Sequence, residues 1–575
     1  MSFSQNNPWI PEREATVCLW KADYNRGYIS NMNASLLTDF MCLSNEQISK
    51  YVDMLRICGF TGIQVTDMVA AWRASGSWQT VHDRLKFLAD EAHKRGMRFT
   101  LWCWAAAFSG HGWHDADAVY ENADPSLPAC RDPRVLACFN KYYDIYADLA
   151  PYADRVIAHF FDPGYLRDME SILYFTRLLA QKFRAVNPNV QIAVDTWGCP
   201  EDYPSRLVEA GMPDVMLMEL PFLPSWRSEG KRAQFRKGVR DLGCDLGSWG
   251  WYTCEYEIDQ FPFMSINNRV LKDVYNQTRE QADYVITPSY WSEMDSYHIL
   301  NFFSLYAAGH LLIDPTADPD RLLRDSALLI TGSSCPGHAQ KLLAALELIR
   351  DARSGDKWNT YWWQEKDYIL LHGNYEEIFR CADKVIADFE SLIALPEPKD
   401  GMPFPLSRSA FYRLILPHLY QIRQFAAFRH AFSELQTMCE TNASPARLQR
   451  MVDALPFEIP EYNCVTGLWG QPEARIAHQM TCDFCAAHRL HAPERAPHVR
   501  NTIKRRYYDA LCVQQRGLDH PHFVSARFYE GGKPFGESFV AGILEEMIRE
   551  DLLIQNEEGR VTLKNWQDFR FDFNI

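Results

Sequence analysis

The amino-acid sequence predicts an α/β protein, a (β/α)8 barrel followed by a mainly α-helical C-terminal region. Three observations carry this expectation. Short apolar or β-branched runs alternate with segments of helical spacing eight times in the first half of the chain. Several of the helical segments stop at Gly or Asn-Pro directly before the next run, at Gly59, Gly96, Asn187-Pro188, Gly211 and Gly243, as short helix-to-strand loops do. No GxGxxG follows the first run and no GxxxxGK[ST] occurs anywhere, which ranks a nucleotide-binding open sheet behind a closed barrel.

The expected strands are 16–20, 62–69, 98–105, 155–162, 191–197, 214–220, 244–251 and 283–290. Helical patterns cover 45–58, 81–94, 132–152, 169–186, 204–210, 231–241, 266–282 and 297–312; in the first of them Ile48, Val52 and Leu55 share one face. Beyond Leu312 the pattern changes. Asp314-Pro315 and Asp318-Pro319 punctuate the chain, and 322–353, 374–395, 406–440 and 446–455 read as long amphipathic helices with a loop at 396–405. Further helices are expected at 474–490 and 499–515, then helix, strand, turn and strand over 539–563, a winged-helix-like pattern. The organisation expected is a barrel over 1–315, a helical domain over 316–470 and a small α/β segment over 471–575.

Composition bounds the function. The 575 residues are 47% hydrophobic and 23% charged, the balance of a globular protein with a large core. With 74 acidic against 59 basic residues the formal charge is −15, which disfavours nucleic acid and anionic membrane surfaces as partners. The polar start, Met1 to Pro11, lacks the basic and apolar stretches of a secretory signal, so a cytoplasmic location is expected. The 16 cysteines sit mostly in apolar runs and read as small buried residues rather than disulfides. The helices after residue 320 carry more apolar positions than a free extension leaves in water, so packing against the barrel and a homodimer are expected.

Barrel chemistry belongs to the C-terminal ends of the strands. Those ends carry Trp20 and Lys21, Asp67, Trp104, Asp162, Asp195 and Trp197, Glu219, then Trp249, Trp251 and Glu255, and finally Tyr290, Trp291 and Glu293, with Arg73 just beyond the second strand. Carboxylates on three successive strands among indoles suit glycoside hydrolysis. One carboxylic acid protonates the leaving oxygen, a second carboxylate acts as base or nucleophile, and aromatic faces hold the sugar ring. Lys21 and Arg73 are placed to meet an anionic sugar. The substrate expected is a short oligosaccharide or glycoside.

Other chemistries are less well supported. The barrel contains no HxH or HExxH, and His478, Cys482, Cys485, His488 and His491 fall within or just after one helix, which cannot wrap four ligands around an ion; no metal and no cofactor are expected. No GxSxG elbow occurs. His159, three residues before Asp162, reads as a core residue. The alternatives that stay open are a non-catalytic carbohydrate-binding or regulatory barrel, and a barrel lyase or isomerase using Lys21 or a carboxylate as base.

Within the favoured reading Asp162 is the general acid, because Pro163-Gly164 fixes its direction and Phe160 and Phe161 supply an apolar setting that raises a carboxyl pKa. Neighbouring parallel strands lie about 4.8 Å apart, so carboxylates on strands 4 and 6 approach the roughly 6.5–9.5 Å that admits a water. Glu219 is the expected partner with inversion, and Asp195 between them orients substrate or water. Glu255 is the rival partner, with retention.

The segment Asn301 to Leu323, NFFSLYAAGHLLIDPTADPDRLL, resembles the barrel exit of α-glucuronidases of the xylan-degrading type and of related hexosaminidase-like hydrolases. In those enzymes a final helix with small residues is followed by an Asp-Pro-rich stretch that opens a helical C-terminal domain. The resemblance implies a carbohydrate-active hydrolase. This chain departs from those families in beginning its first strand soon after Pro11 and in carrying Asp162 alone rather than an adjacent Asp-Glu pair, which speaks against an acetamido-assisted mechanism.

Overall fold

Strand–helix alternation in the first half of the chain rolls the sheet into a closed ring. The computed structural model describes residues 8–18, 44–66, 68, 77–104, 124, 126–160, 168–196, 199–219, 229–249, 284–286, 302–353, 375–456 and 473–493, with shorter pieces between 518 and 563. The strands are β1 (Arg13–Cys18), β2 (Gly62–Thr66), β3 (Arg98–Trp104), β4 (Arg155–His159), β5 (Gln191–Asp195), β6 (Met216–Glu219), β7 (Leu246–Trp249) and β8 (Tyr284–Ile286). Each pairs in parallel with the next, and Arg13 and Glu14 pair with Val285 and Ile286 to close the barrel.

Helices α1 (Asn45–Ile57), α2 (Trp78–Lys94), α3 (Pro133–Ala147), α4 (Met169–Val186), α5 (Tyr203–Glu209) and α6 (Glu229–Asp241) run between strands. The first four start at side-chain caps: Ser44 forms a capping box with Gln47, and Ser77, Asp132 and Asp168 each accept a first-turn N–H. Four of the expected stops, Gly59, Gly96, Gly211 and Gly243, sit at φ of +94°, +68°, +76° and +71°, a region that costs glycine nothing. Val194 and Leu217 are fully buried, as the pattern requires; the side chain of Val285 lies outside the described residues.

After the barrel, α7 (Phe302–Ile313) leads to α8 (Pro319–Thr331), α9 (Pro336–Arg353), α10 (Tyr375–Ile393), α11 (Arg408–Glu440), α12 (Pro445–Asp453) and α13 (Glu473–His488). The helical region packs on α7, where Phe302 and Phe303 meet Phe404 and Phe411 at ring separations of 5.8 and 6.2 Å, and α7 is tied to the lead-in of β1 by the N–H groups of Trp9 and Ile10, which donate to the carbonyls of Ile313 and Leu312. The single helix expected over 322–353 is two, because Gly332 turns at φ +86° and Pro336 opens the second. Near the C-terminus, α14 (Glu537–Arg549) precedes an antiparallel pair, β12 (Leu553–Gln555) and β13 (Arg560–Leu563), in the helix-then-hairpin order expected. Before it in the chain, β9 (Leu518–Asp519) joins β13, and β10 (Tyr529–Glu530) pairs with β11 (Lys533–Pro534). Among the described residues no helix is long and apolar enough to cross a membrane.

Several strand boundaries differ from expectation: β5 ends at Asp195, β6 starts at Met216 and β7 at Leu246, and two further differences bear on the barrel interior. β1 starts at Arg13 rather than residue 16, because Arg13 and Glu14 are charged yet paired: the Arg13 guanidinium donates to the carbonyl of Gly59 at 2.7 Å, and Glu14 turns into the barrel. β4 ends at His159 rather than residue 162. A close approach seats α7 on the end of α1, since a Cβ on Gly309 would collide with the carbonyl oxygen of Cys58. Gly309→Ala is therefore expected to destabilise the protein by about 3 kcal/mol or more, because backbone rather than a flexible side chain must yield. Chemical denaturation of the two proteins measures it.

Candidate active site

The two ends of the barrel interior differ in kind. At the N-terminal end the Arg155 guanidinium on β4 donates to Glu14 on β1 at 2.8 Å, to Gln191 on β5 at 2.7 Å and to Glu12 at 2.8 Å. Thr100 on β3 also donates to Glu14, at 3.0 Å. β1 and β4 are not neighbours in the sheet, so the Arg155–Glu14 bond crosses the interior and identifies the inward face. Residues 155, 157 and 159 of β4 and 191, 193 and 195 of β5 lie on it.

At the opposite, C-terminal end that same face presents His159 and Asp195, the last residues of β4 and β5. Both are completely buried, with His159 Nδ1 3.2 Å from Asp195 Oδ2. The other oxygen of Asp195 accepts the backbone N–H of Phe160 at 3.0 Å. The imidazole packs at 5.1 Å against the buried indole of Trp102. A buried carboxylate is tolerated only when paired and hydrogen-bonded, and Asp195 meets that condition through the end of the neighbouring strand. His159 is buried, as a core residue is, in the barrel interior beside Asp195.

Glu219 stands elsewhere. The register pairs Asp195 with Met218, so Met218 shares the inward face and Glu219, one residue on, falls on the opposite one. There Arg236 of α6 donates to its carboxylate at 2.7 Å, both groups being buried. This ion pair ties β6 to the helix that follows it. The parity of this four-residue strand thus sets Glu219 against Arg236 rather than beside Asp195, while Asp162, its expected partner, lies outside the described residues.

Trp104 and Trp249 end β3 and β7, and only their backbone is described. Asp162, Glu255, Trp20, Lys21, Asp67, Arg73, Trp197, Trp251, Tyr290, Trp291 and Glu293 lie outside the described residues. The residue that sequence reasoning missed as a functional candidate is His159. The available signal was that it ends its strand as Asp195 ends the next, and residues ending neighbouring parallel strands on one face meet.

Burial pushes the thiols of Cys58 and Cys103 up, away from nucleophilic use. In α13, Cys482 lies against His478, Cys485 against the carbonyl of His491, and His488 against Cys439 of α11. Among the described residues no group of three or more His, Cys, Asp or Glu could hold a metal ion.

No family model matches the chain, and no curated protein matches it. Among solved structures it is similar to a GH138 enzyme targeting pectin rhamnogalacturonan II, at 10% identity over 84% of this chain and 67% of that one, with a TM-score of 0.43. It is also similar to an exo-β-1,4-mannosidase from Opitutaceae bacterium strain TAV5, at 15% identity over 54% of this chain and 60% of that one, TM-score 0.34. A dihydrodipicolinate synthase matches at 9% identity over 59% of this chain and 88% of that one, TM-score 0.28. Similarities of this size assign neither family nor activity, and the fold rests on the strand order and closure of the chain itself.

Proposed function

We propose that the chain is a glycoside hydrolase acting on a short oligosaccharide or glycoside at the C-terminal mouth of the barrel. The observation that carries the reading is the contrast between the two ends of the interior. The N-terminal end is closed by an ion-pair network around Arg155, while the C-terminal end holds the buried Asp195–His159 pair at the end of the strand that precedes Asp162 in the sequence. Asp162 protonates the leaving oxygen. Because Arg236 engages Glu219 on the outer face, the partner role passes to Glu255 on the seventh-strand loop, which makes the enzyme retaining. The resemblance of Asn301–Leu323 to α-glucuronidase-like barrel exits, with Lys21 and Arg73 following the first two strands in the sequence, puts uronides among the first substrates to try.

A specific observation favours a second reading. An imidazole oriented by a buried carboxylate is also what a proton-abstracting base needs, so a barrel lyase or isomerase is the alternative. Incubation with a panel of aryl glycosides and uronides, read by released aglycone, separates the two. Release from at least one member at about 1000-fold or more above buffer is expected. Silence across the panel, with deuterium taken up from heavy water by a sugar acid or keto acid under proton NMR, would transfer the assignment to the lyase or isomerase class.

A further inference from the structure

We infer that Asp195 is a positioning residue that holds the exit of β4 at Phe160, two residues before Asp162 in the sequence. The inference rests on the hydrolase reading for its consequence and on described atoms for its geometry. The ladder between β4 and β5 ends at the pair Ala158–Val194. One residue beyond β5, the backbone turns to β6 instead: both the N–H and the hydroxyl of Thr196 donate to the carbonyl of Met218, at 3.0 and 3.1 Å. No backbone rung of β5 therefore reaches Phe160, and the Asp195 side chain supplies the acceptor for its N–H at 3.0 Å.

The carboxylate is itself held. His159 Nδ1 stands 3.2 Å from its second oxygen, and the imidazole is backed by Trp102. A bond to one buried N–H could be made by a neutral hydroxyl or amide at lower desolvation cost. A buried, fully enclosed carboxylate between an imidazole and a strand exit instead gives a stiff, charge-assisted hold on the segment from which the acid departs. A general acid loses efficiency when displaced by about an ångström, because proton transfer needs hydrogen-bond reach to the leaving oxygen.

The test uses the full chain and two substrates that share a sugar, a phenyl glycoside and a 2,4-dinitrophenyl glycoside. Phenoxide leaves poorly and needs the proton; dinitrophenoxide leaves without it. Asp195→Ala is expected to lower kcat/KM, which reports the step that expels the leaving group, about 100-fold on the phenyl glycoside and less than about threefold on the dinitrophenyl glycoside, whereas kcat on the latter also carries the later step in which the same acid acts as base. Asp195→Asn keeps an acceptor for the Phe160 N–H but not its charge and should recover part of the loss. Hydrogen exchange across peptides spanning residues 155–168 should quicken at Phe160 in the alanine variant and not in the asparagine variant. Asp195→Ser, too short to reach Phe160, replaces the alanine variant if that one does not fold. Equal loss on both substrates, or unchanged exchange at Phe160, overturns the inference. Absence of turnover by the unaltered protein on every glycoside overturns the hydrolase reading instead, and the exchange measurement still decides whether Asp195 holds Phe160.

Discussion

Replacing Arg155 with alanine is expected to cost about 3–5 kcal/mol of stability, the range for breaking a buried ion pair from one side. Arg155 and Glu14 expose 1% of their side chains each and meet at 2.8 Å, and the same guanidinium binds Gln191 and Glu12. Truncation leaves the Glu14 carboxylate enclosed with Thr100 as its neutral donor, which does not compensate a charge. It also unpins β4 from β1 across the barrel. Removing both partners together, as Arg155→Met with Glu14→Leu, should cost less than Arg155→Ala alone, since apolar groups of similar volume leave no buried charge behind. Denaturant unfolding of the single and double variants checks both parts; a single variant as stable as the unaltered protein would show that the floor of the barrel is not held by charge.

The second large effect separates the carboxylates. Asp162→Asn and Glu255→Gln are each expected to lower kcat on a phenyl glycoside by about 100-fold or more, while Glu219→Gln stays within about threefold. Glu219 lies on the outer face of β6 with its oxygen on Arg236 of α6, so its replacement should appear as a loss of about 1–3 kcal/mol of stability from a weakened buried hydrogen bond. The anomer formed first, followed by proton NMR, should keep the configuration of the substrate if Glu255 is the nucleophile. Loss of turnover in Glu219→Gln with normal stability and an inverted product would return Glu219 to the site and remove Glu255.

The sequence was sufficient for the order of the barrel because that order rests on local physics. The helix stops at Gly59, Gly96, Gly211 and Gly243 are positive-φ positions, and the helices between them follow from 3.6-residue periodicity over ten or more residues. The helix spanning Met169–Val186 begins and ends at its expected residues. Short strands were harder to bound. Arg13 and Glu14 read as a polar lead-in, since nothing local reveals that Glu14 on β1 will find Arg155 141 positions away on β4.

The candidate site divides in the same way. That Asp195 and Glu219 end apolar runs could be read directly, because burial of the preceding residues leaves a mark in the sequence. Which face each occupies could not. A strand of four or five residues has a period of two, so a boundary uncertain by one residue exchanges inside for outside. Only the register that pairs Asp195 with Met218 sends Glu219 to Arg236 and leaves Asp195 facing inward with His159. The sequence by itself determined the alternation of elements and the set of groups at the strand ends, both consequences of local periodicity and turn chemistry. The tertiary structure decided which of those groups face one another, because partners such as Arg155 and Glu14 or Phe160 and Asp195 are set by barrel closure and register, which no local stretch of sequence encodes.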